Sequence, residues 1–242
     1  MDILLTGASG FIGSNFHQHY KDRYNIICID KLEGQDLLTC NLPSVDLVIH
    51  LAGLSGVRQS FENPTDYWKQ NVIVSQRLFD CYKNTRVMYA SSSTAYEPWR
   101  NPYALSKHAV EQIAPRYSLG MRFTTTYGPN AREQMLIPKI LRNDVQWVNT
   151  NHKRDFIHVD DLINAFIQVI KSKSVNKIYN LGSGKRTSIN TIAKIFGGKK
   201  KFIPIRPGEP KNSVANIKKV KKEINWKPKI SIEQGIKKLL SN

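Results

Sequence analysis

The 242-residue chain is short of acidic residues, of cysteine and of long apolar runs. It has 36 Lys and Arg against 19 Asp and Glu, and its three cysteines, Cys28, Cys40 and Cys81, lie far apart without a CxxC pair. This pattern predicts buried thiols, with no disulfide framework and no zinc or other metal site. No apolar stretch reaches the roughly 18 residues of a membrane span, and no basic leader precedes the first apolar run. We therefore expect a cytoplasmic protein without a membrane partner.

The excess positive charge lies in the last third of the chain. Residues 171–242 hold 19 Lys and Arg against 3 Asp and Glu, a net charge of +16, whereas residues 1–170 have a net charge of +1. The simplest interpretation is a solvated, lysine-rich surface. Steering of an anionic small molecule is the next interpretation, and contact with nucleic acid is the least favoured.

Short apolar runs alternate with longer segments of helical period, in the order ILLTG, NIICID, VDLVIHLAG, RVMYASS and MRFTTTYG. Because strands buried on both faces are continuous apolar runs, this order predicts an α/β fold with a Rossmann-type, doubly wound parallel sheet. We expect residues 1–128, joined by 154–182, to form that domain, with the strand and helix of 154–171 returning to the sheet. Residues 129–153 and 183–242 hold most of the prolines and are expected to form a smaller lobe.

The first strand runs directly into three glycines, Gly7, Gly10 and Gly13, and then into a helix. Glycine permits a tight turn and a close approach of the backbone to a pyrophosphate, and the helix N-terminus offers free N–H groups to an anion. Asp30 ends the second strand, where a carboxylate accepts hydrogen bonds from the ribose hydroxyls of a dinucleotide and repels a 2′-phosphate. The sequence therefore favours NAD over NADP.

A second candidate group lies on a helix that Asn101 and Pro102 are expected to start. Tyr103 and Lys107 would occupy positions i and i+4 on one face of it. An ammonium beside a phenol favours the phenolate, which makes a general base that acts near neutral pH. The hydroxyl residues 91–94 follow a strand at the carboxyl edge of the sheet, where ligands bind in open α/β folds.

These segments and others belong to one ordered series: TGASGFIG, HLAG, GVRQSFENP, SSSTAY, YALSK, RFTTTYGP, RDFIHVDDL, NLGSG, RPGEP and NWKPKISIEQGI. The series resembles the extended short-chain dehydrogenase/reductase family of NAD-dependent sugar-nucleotide epimerases and dehydratases, over nearly the whole chain. The resemblance implies that 1–128 with 154–182 bind NAD and that the smaller lobe binds the substrate, a nucleotide sugar such as a UDP-sugar.

The resemblance also implies roles for individual residues. Tyr103 would be the base, Lys107 would hold the nicotinamide ribose, and Ser92 would assist the proton transfer. The residues expected to bind the cofactor are Gly7, Ser9, Gly10, Phe11, Ile12, Gly13, Asp30, Lys31, Asp36, Leu37, Leu51, Ala52, Gly53, Asn71, Ala90, Ser91, Tyr103 and Lys107. Those expected to bind the substrate are Arg58, Ser92, Ser93, Thr94, Thr125, Arg132, Arg154, Arg206 and Glu209.

Four of these positions favour a particular reaction. Ser93 and Thr94 stand where the family's dehydratases have an Asp-Glu pair, which disfavours dehydration. Thr125 and Arg132 make the chain most similar to UDP-glucuronate 4-epimerases, in which such residues hold the sugar carboxylate. We therefore expect NAD-dependent 4-epimerisation of a UDP-hexuronate through a transient 4-ketone.

Other functions remain open at this point. The alternatives are a 4-epimerase or a 4-keto reductase of another nucleotide sugar and, in a different class, a non-catalytic dinucleotide-binding protein that regulates or binds nucleic acid. Intact Tyr103 and Lys107 argue against the last. Helices expected over 63–83 and 102–114 resemble the pair that forms the dimer interface of the family, so we expect a homodimer.

Overall fold

The computed structural model describes residues 1–142, 147–148, 152–195, 201–202, 208 and 211–241. The chain forms two compact units, the first of Met1–Phe123 with Ser172–Tyr179 and the second of Thr124–Lys171 with Asn180–Asn242. The first unit thus ends five residues before Gly128, and residues 154–171 belong to the second unit. In the described part of the chain, no helix is long and apolar enough to cross a membrane.

The elements follow one another in a mixed order of strands and helices. The strands are β1 (Asp2–Thr6), β2 (Asn25–Ile29), β3 (Leu47–His50), β4 (Arg86–Ser92), β5 (Ser118–Phe123), β6 (Thr125–Tyr127), β7 (Trp147–Val148), β8 (Lys153–Arg154), β9 (Phe156–His158), β10 (Lys177–Leu181), β11 (Thr187–Ser188) and β12 (Lys201–Phe202). The helices are α1 (Phe11–Tyr20), α2 (Val57–Glu62), α3 (Pro64–Tyr67), α4 (Val74–Cys81), α5 (Pro102–Ile113), α6 (Leu136–Leu141), α7 (Val159–Ser172), α8 (Ile189–Ile195), α9 (Lys218–Ile224) and α10 (Ile232–Leu240).

A six-stranded sheet forms the centre of the first unit, in the order β10-β5-β4-β3-β1-β2. Neighbours among β1 to β5 pair in parallel. The order reverses between β1 and β3, the point at which open α/β sheets bind their ligands. The expected α/β, Rossmann-type fold is therefore confirmed. The loops that follow Thr6 and His50 lie at this switch point.

Burial on both faces of this sheet explains the continuous apolar runs of its strands. Ile3, Leu4 and Leu5 of β1 are fully buried, as are Val48 and Ile49 of β3. Burying apolar surface stabilises a fold by roughly 25 cal/mol per Å², so these strands form a rigid base for the loops at their carboxyl ends.

The sequence predicts one helix over 63–83, but the structure has several shorter helical segments between residues 57 and 81. Helix α3 is followed by a π-helical stretch over Trp68–Ile73 and then by α4. Short π-helical stretches occur frequently at functional sites because the extra residue turns a side chain away from the helical pattern. This π-helical stretch contains Asn71. The end of α4 corrects another expectation, since Cys81 is exposed, while Cys28 and Cys40 are partly buried.

The second unit contains a separate two-stranded parallel sheet. The expectation that the strand of 154–171 returns to the main sheet is wrong, because β9 pairs with β6. The fully buried Asp155 explains how this region closes: its carboxylate accepts the backbone N–H groups of Ser183 at 2.7 Å, Gly184 at 3.0 Å and Ala215 at 2.9 Å. One buried charge, satisfied by several donors, thus fixes three segments that are distant in sequence.

Candidate active site

The loop between β1 and α1 forms a close turn in which glycine is required. Gly7 has a φ of 72° and donates its N–H to Ile29 O at 3.0 Å. A Cβ on Gly7 would lie 2.6 Å from Ala52 N, and a Cβ on Gly13 would collide with Gly7 O. Gly10 caps α1 without a side-chain hydrogen bond, so the first N–H groups of the helix are left for an anion.

Asp30 is held at the end of β2 by backbone groups on both sides. Its Oδ2 accepts Ser9 N at 2.9 Å and its Oδ1 accepts Leu32 N at 2.9 Å. The connector that follows is a single 3₁₀ turn over Lys31–Glu33, and Lys31 pairs with Asp36 at 3.2 Å. The Leu38 N–H first, and Lys31 second, hold the pKa of Asp36 below its ordinary value. The carboxylate of Asp30 is thus fixed at one wall of the glycine turn.

A cavity of about 540 Å³ opens at the switch point of the sheet. Nine of the residues predicted to bind the cofactor line it: Gly7, Gly10, Asp30, Lys31, Asp36, Leu37, Leu51, Ala52 and Gly53. The cavity has seven further lining residues that the sequence does not predict: Ile29, Leu32, Gln35, Leu54, Asp66, Gln70 and Val74. The predicted Phe11, Ile12 and Gly13 lie in the first turn of α1, behind the glycine turn.

Helix α5 starts as predicted and presents the second candidate group. The Asn101 side chain accepts Ala104 N at 2.8 Å, and Pro102 occupies the first turn. Tyr103 is partly buried, and its ring meets that of Tyr67 edge-on, with 6.1 Å between the centroids. Lys107 is buried, and its Nζ donates to Ala90 O at 3.2 Å.

Burial lowers the pKa of Lys107 to about 8, and the charge of Glu111 opposes this shift. The ammonium also lies near the cavity wall, because a Cβ on Gly53 would be 3.5 Å from Lys107 Nζ. A lysine in this position can stabilise an anion next to it, and it loses its own charge at a pH only slightly above neutral. Gly53 has a φ of 147° and leaves the space between the cavity and the ammonium open.

Asn71 is buried, and both polar atoms of its side-chain amide form hydrogen bonds within the protein. Its Oδ1 accepts Leu54 N at 2.7 Å, and its Nδ2 donates to Leu54 O at 3.1 Å and to Ser106 Oγ at 2.8 Å. The sequence predicts that Asn71 binds the cofactor, and this stays a prediction. Its contacts make it a brace between the cavity wall and α5, because both polar atoms of the amide have partners in the protein.

The end of β4 carries the hydroxyl residues. Ser91 is buried and donates its hydroxyl to the carboxylate of Glu111. Ser92 Oγ accepts Thr94 N at 3.2 Å and the Thr94 hydroxyl at 2.9 Å, which starts a 3₁₀ turn over Ser93–Tyr96. Ser93 and Thr94 are partly buried. The Ser92 hydroxyl retains its own proton for donation, since both of these contacts use it as an acceptor.

His50 lies at the end of β3 in a buried chain of hydrogen bonds. Its Nδ1 is 2.7 Å from Thr6 Oγ1 and its Nε2 is 3.0 Å from Ser75 Oγ. Because the Ser75 hydroxyl donates to Asn71 O, it accepts a hydrogen bond from Nε2–H, which makes Nδ1 the acceptor of the Thr6 hydroxyl. Burial lowers the pKa of His50 to about 3, with a smaller effect from Lys107. The ring is therefore a neutral structural group.

The residues predicted to bind the substrate are distributed over both units. Arg58 is exposed in the first turn of α2, in the first unit. In the second unit, Thr125 is partly buried on β6 and Arg132 is exposed. Arg154 donates to Lys211 O at 3.1 Å and approaches His152 Nδ1 at 3.0 Å. Two further predicted residues, Arg206 and Glu209, lie outside the described residues.

Residues 3–182 match the NAD dependent epimerase/dehydratase family. The chain belongs to this family. As a member of the epimerase/dehydratase family it is an enzyme that uses NAD. The glycine turn that tolerates no Cβ, the fixed Asp30 and the cavity beside them fit that cofactor. Among the described residues, no cluster of three metal-ligating side chains occurs.

The chain is similar to several known proteins over most of its length. The chain is 30% identical to a UDP-glucuronate 4-epimerase of Thermodesulfobacterium geofontis, over 82% of this chain and 72% of that protein. It is similar to the structure of MoeE5 in complex with UDP-glucuronic acid and NAD, with 26% identity, a TM-score of 0.90 and coverage of 98% and 97%. A variant of UDP-glucuronic acid 4-epimerase from Bacillus cereus, in complex with NAD and a 4-deoxy-4-fluoro substrate analogue, shares 25% identity, with a TM-score of 0.89 and coverage of 98% and 96%.

Proposed function

We propose that the protein is an NAD-dependent UDP-sugar 4-epimerase that acts on a UDP-hexuronate, interconverting UDP-glucuronate and UDP-galacturonate. The single observation that carries the activity is the position of the buried Lys107 on α5, whose Nζ donates to Ala90 O on β4 and lies next to Gly53 of the cavity wall. Tyr103 lies one helical turn before it. This arrangement supports Tyr103 as the general base and Lys107 as its supporting cation.

In this mechanism the chain's own residues move one proton and hold the reacting groups. Tyr103, as a phenolate favoured by the Lys107 ammonium, accepts the proton of the sugar 4-hydroxyl. Ser92 donates its hydroxyl to the same sugar oxygen. When bound, NAD supplies the oxidation of C4 and its reversal on the opposite face of the sugar. The proton returns from Tyr103 to the oxygen at C4, so the net reaction is an isomerisation.

The choice of a uronate is supported by Arg132 and Thr125, together with the named relatives that act on or bind glucuronic acid. Oxidation at C4 creates a ketone β to the C6 carboxylate, and such an acid loses CO₂ when the breaking bond aligns with the carbonyl π system. Arginine binds a carboxylate through two parallel hydrogen bonds and fixes its orientation. Arg132, with Thr125 of the same unit, would hold the carboxylate out of that alignment.

The test is incubation of the purified chain with single UDP-sugars, without added cofactor, followed by chromatography of the products. We expect interconversion of UDP-glucuronate and UDP-galacturonate and slower or no conversion of UDP-glucose. Faster conversion of UDP-glucose would replace the uronate with a neutral sugar, in line with relatives named as UDP-glucose epimerases. Consumption of added NADH in each turnover would instead establish a 4-keto reductase. No conversion of any nucleotide sugar would overturn the proposed activity.

We also propose that the enzyme is a homodimer, as the resemblance implies, and that it is cytoplasmic, as the lack of a long apolar run and of a basic leader suggests. The exposed apolar side chains of Phe61, Trp68 and Leu105 support the homodimer, each being between 44% and 50% exposed on elements that pack around α5. Exposed apolar groups of this size are typical of interfaces. Sedimentation analysis is expected to give a dimer, and a change of Leu105→Glu is expected to give a monomer.

A further inference from the structure

One acidic side chain near the proposed active site has no part in the chemistry described above. Glu111 lies on α5, one turn after Lys107, and its side chain is only 1% exposed. Its carboxylate accepts the hydroxyl of Ser91 and, through both oxygens, the guanidinium of Arg122, whose Nε lies 2.7 Å from Oε1. Burying a carboxylate is costly unless such donors surround it, so these contacts hold the Glu111 side chain in place.

The network joins three elements at the carboxyl edge of the sheet. Ser91 on β4 is in register with Arg122 on β5, and both meet Glu111 on α5. The Arg122 guanidinium also lies over the ring of Tyr96, and its Cζ is 3.9 Å from the ring centroid. Consecutive residues of β4 are therefore held by consecutive turns of one helix, Ala90 by Lys107 and Ser91 by Glu111.

The titratable or charged groups near Lys107 and Glu111 include His50 on β3, Tyr89 on β4, Tyr96 in the turn after β4, Arg122 on β5 and Tyr103 on α5 itself. His50 is neutral, and burial, with a smaller contribution from Glu111, keeps the pKa of Tyr89 far above neutral. Among these groups, Glu111 supplies the negative charge that favours the ammonium of Lys107.

We propose that Glu111 is a positioning residue of the active site, which fixes the end of β4 to α5 and keeps Lys107 in its charged form. This inference rests on the proposed function for its catalytic consequence, because a charged Lys107 is what favours the phenolate of Tyr103. Its electrostatic part concerns the free protein and is independent of any substrate.

The test is an NMR titration of the whole protein containing ¹³C-labelled lysine, in which the Lys107 signal is assigned by Lys107→Met. We expect wild-type Lys107 to titrate near pH 8, and Glu111→Gln to lower its midpoint by about one pH unit. Ser91→Ala removes a hydroxyl but no charge and should leave the midpoint unchanged. Glu233→Gln, at an exposed position of α10, is the control for loss of one carboxylate.

Should Glu111→Gln not fold, as judged by circular dichroism, the double variant Glu111→Gln with Arg122→Met is titrated against Arg122→Met alone, because these two proteins differ only in the carboxylate. The protein without the carboxylate is expected to have the lower Lys107 midpoint, and equal midpoints in either comparison would overturn the inference. With an active substrate, the loss of kcat on the alkaline side should move to lower pH in Glu111→Gln, while KM changes little. If no nucleotide sugar is converted by the wild type, the proposed function fails, and the titration still decides the role of Glu111.

Discussion

Asn71 Nδ2 donates to Ser106 Oγ at 2.8 Å, and the Ser106 hydroxyl donates in turn to the carbonyl of Tyr103 at 2.9 Å. The same Asn71 amide holds both backbone groups of Leu54 in the cavity wall. One side chain of the π-helical stretch thus connects the proposed cofactor pocket to the first turn of the proposed catalytic helix. A change at this position should therefore affect both.

Asn71→Ala is expected to lower kcat by roughly tenfold and the free energy of unfolding by about 1–3 kcal/mol. It leaves buried backbone groups of Leu54 without partners, and a small displacement of the reacting groups is costly to the rate. Ser106→Ala removes the two hydrogen bonds of the Ser106 hydroxyl but leaves both bonds between Asn71 and Leu54, so it should have a smaller effect on both quantities. Steady-state kinetics and urea unfolding measure them. Equal effects of the two variants on kcat would show that Asn71 does not brace the site through Leu54.

The apolar runs predict well which segments of the chain form β1 to β5, because a strand buried on both faces must be apolar throughout. The sequence predicts the start of α5 equally well, since Asn101 caps the helix through Ala104, three residues away. Both features depend on local chemistry. The run MRFTTTYG, in contrast, predicts one strand, whereas β5 ends at Phe123 and β6 pairs with β9 about 30 residues later.

Contacts between distant elements limit what the sequence shows of the site. Spacing places Glu111 one turn after Lys107, but it cannot show that the carboxylate meets Ser91 and Arg122 from two different strands. The sequence predicts Asn71 as a cofactor-binding residue, but it cannot show that the amide meets Leu54 and Ser106, which are 17 and 35 residues away. Tertiary packing determined both arrangements.

The two glycines at the start of α1 give a matched pair of variants. A Cβ on Gly13 would collide with Gly7 O, whereas a Cβ on Gly10 would lie 3.2 Å from the same oxygen, a contact that a small shift relieves. We expect Gly13→Ala to weaken NAD binding at least tenfold more than Gly10→Ala, because it displaces the turn that receives the pyrophosphate. Calorimetric titration with NAD measures both. Similar affinities would mean that the turn adapts without loss of its geometry.

Stability should fall in mild acid because of His50. Its pKa is about 3 in the folded protein against an ordinary 6.5, so between these values the unfolded chain binds more protons than the folded one. The contribution of a neutral His50 is complete above pH 6.5 and is lost as the pH falls towards 3. At pH 4.5 we expect a loss of about 2–3 kcal/mol relative to pH 7, measured by urea unfolding.

The change His50→Gln should remove most of this pH dependence, since glutamine does not titrate. The exposed His19→Gln on α1 is the matched control and should retain it. An identical difference between pH 7 and pH 4.5 in wild type and His50→Gln would assign the acid sensitivity to other groups.

Arg132 is the position at which the proposed substrate can be tested most directly. Arg132→Ala removes the group expected to orient the C6 carboxylate, so we predict at least a tenfold loss of kcat/KM for UDP-glucuronate and a larger fraction of turnovers that end in loss of CO₂. Arg132→Lys retains the charge without the planar pair of donors and should give an intermediate result.

Arg142→Ala is the control, because this exposed residue donates to Glu133 O. Products are separated by chromatography, and CO₂ is counted from a substrate labelled at C6. If Arg132→Ala turns over UDP-glucuronate like the wild type and releases no additional CO₂, the carboxylate is held elsewhere, and the uronate preference must arise from other residues.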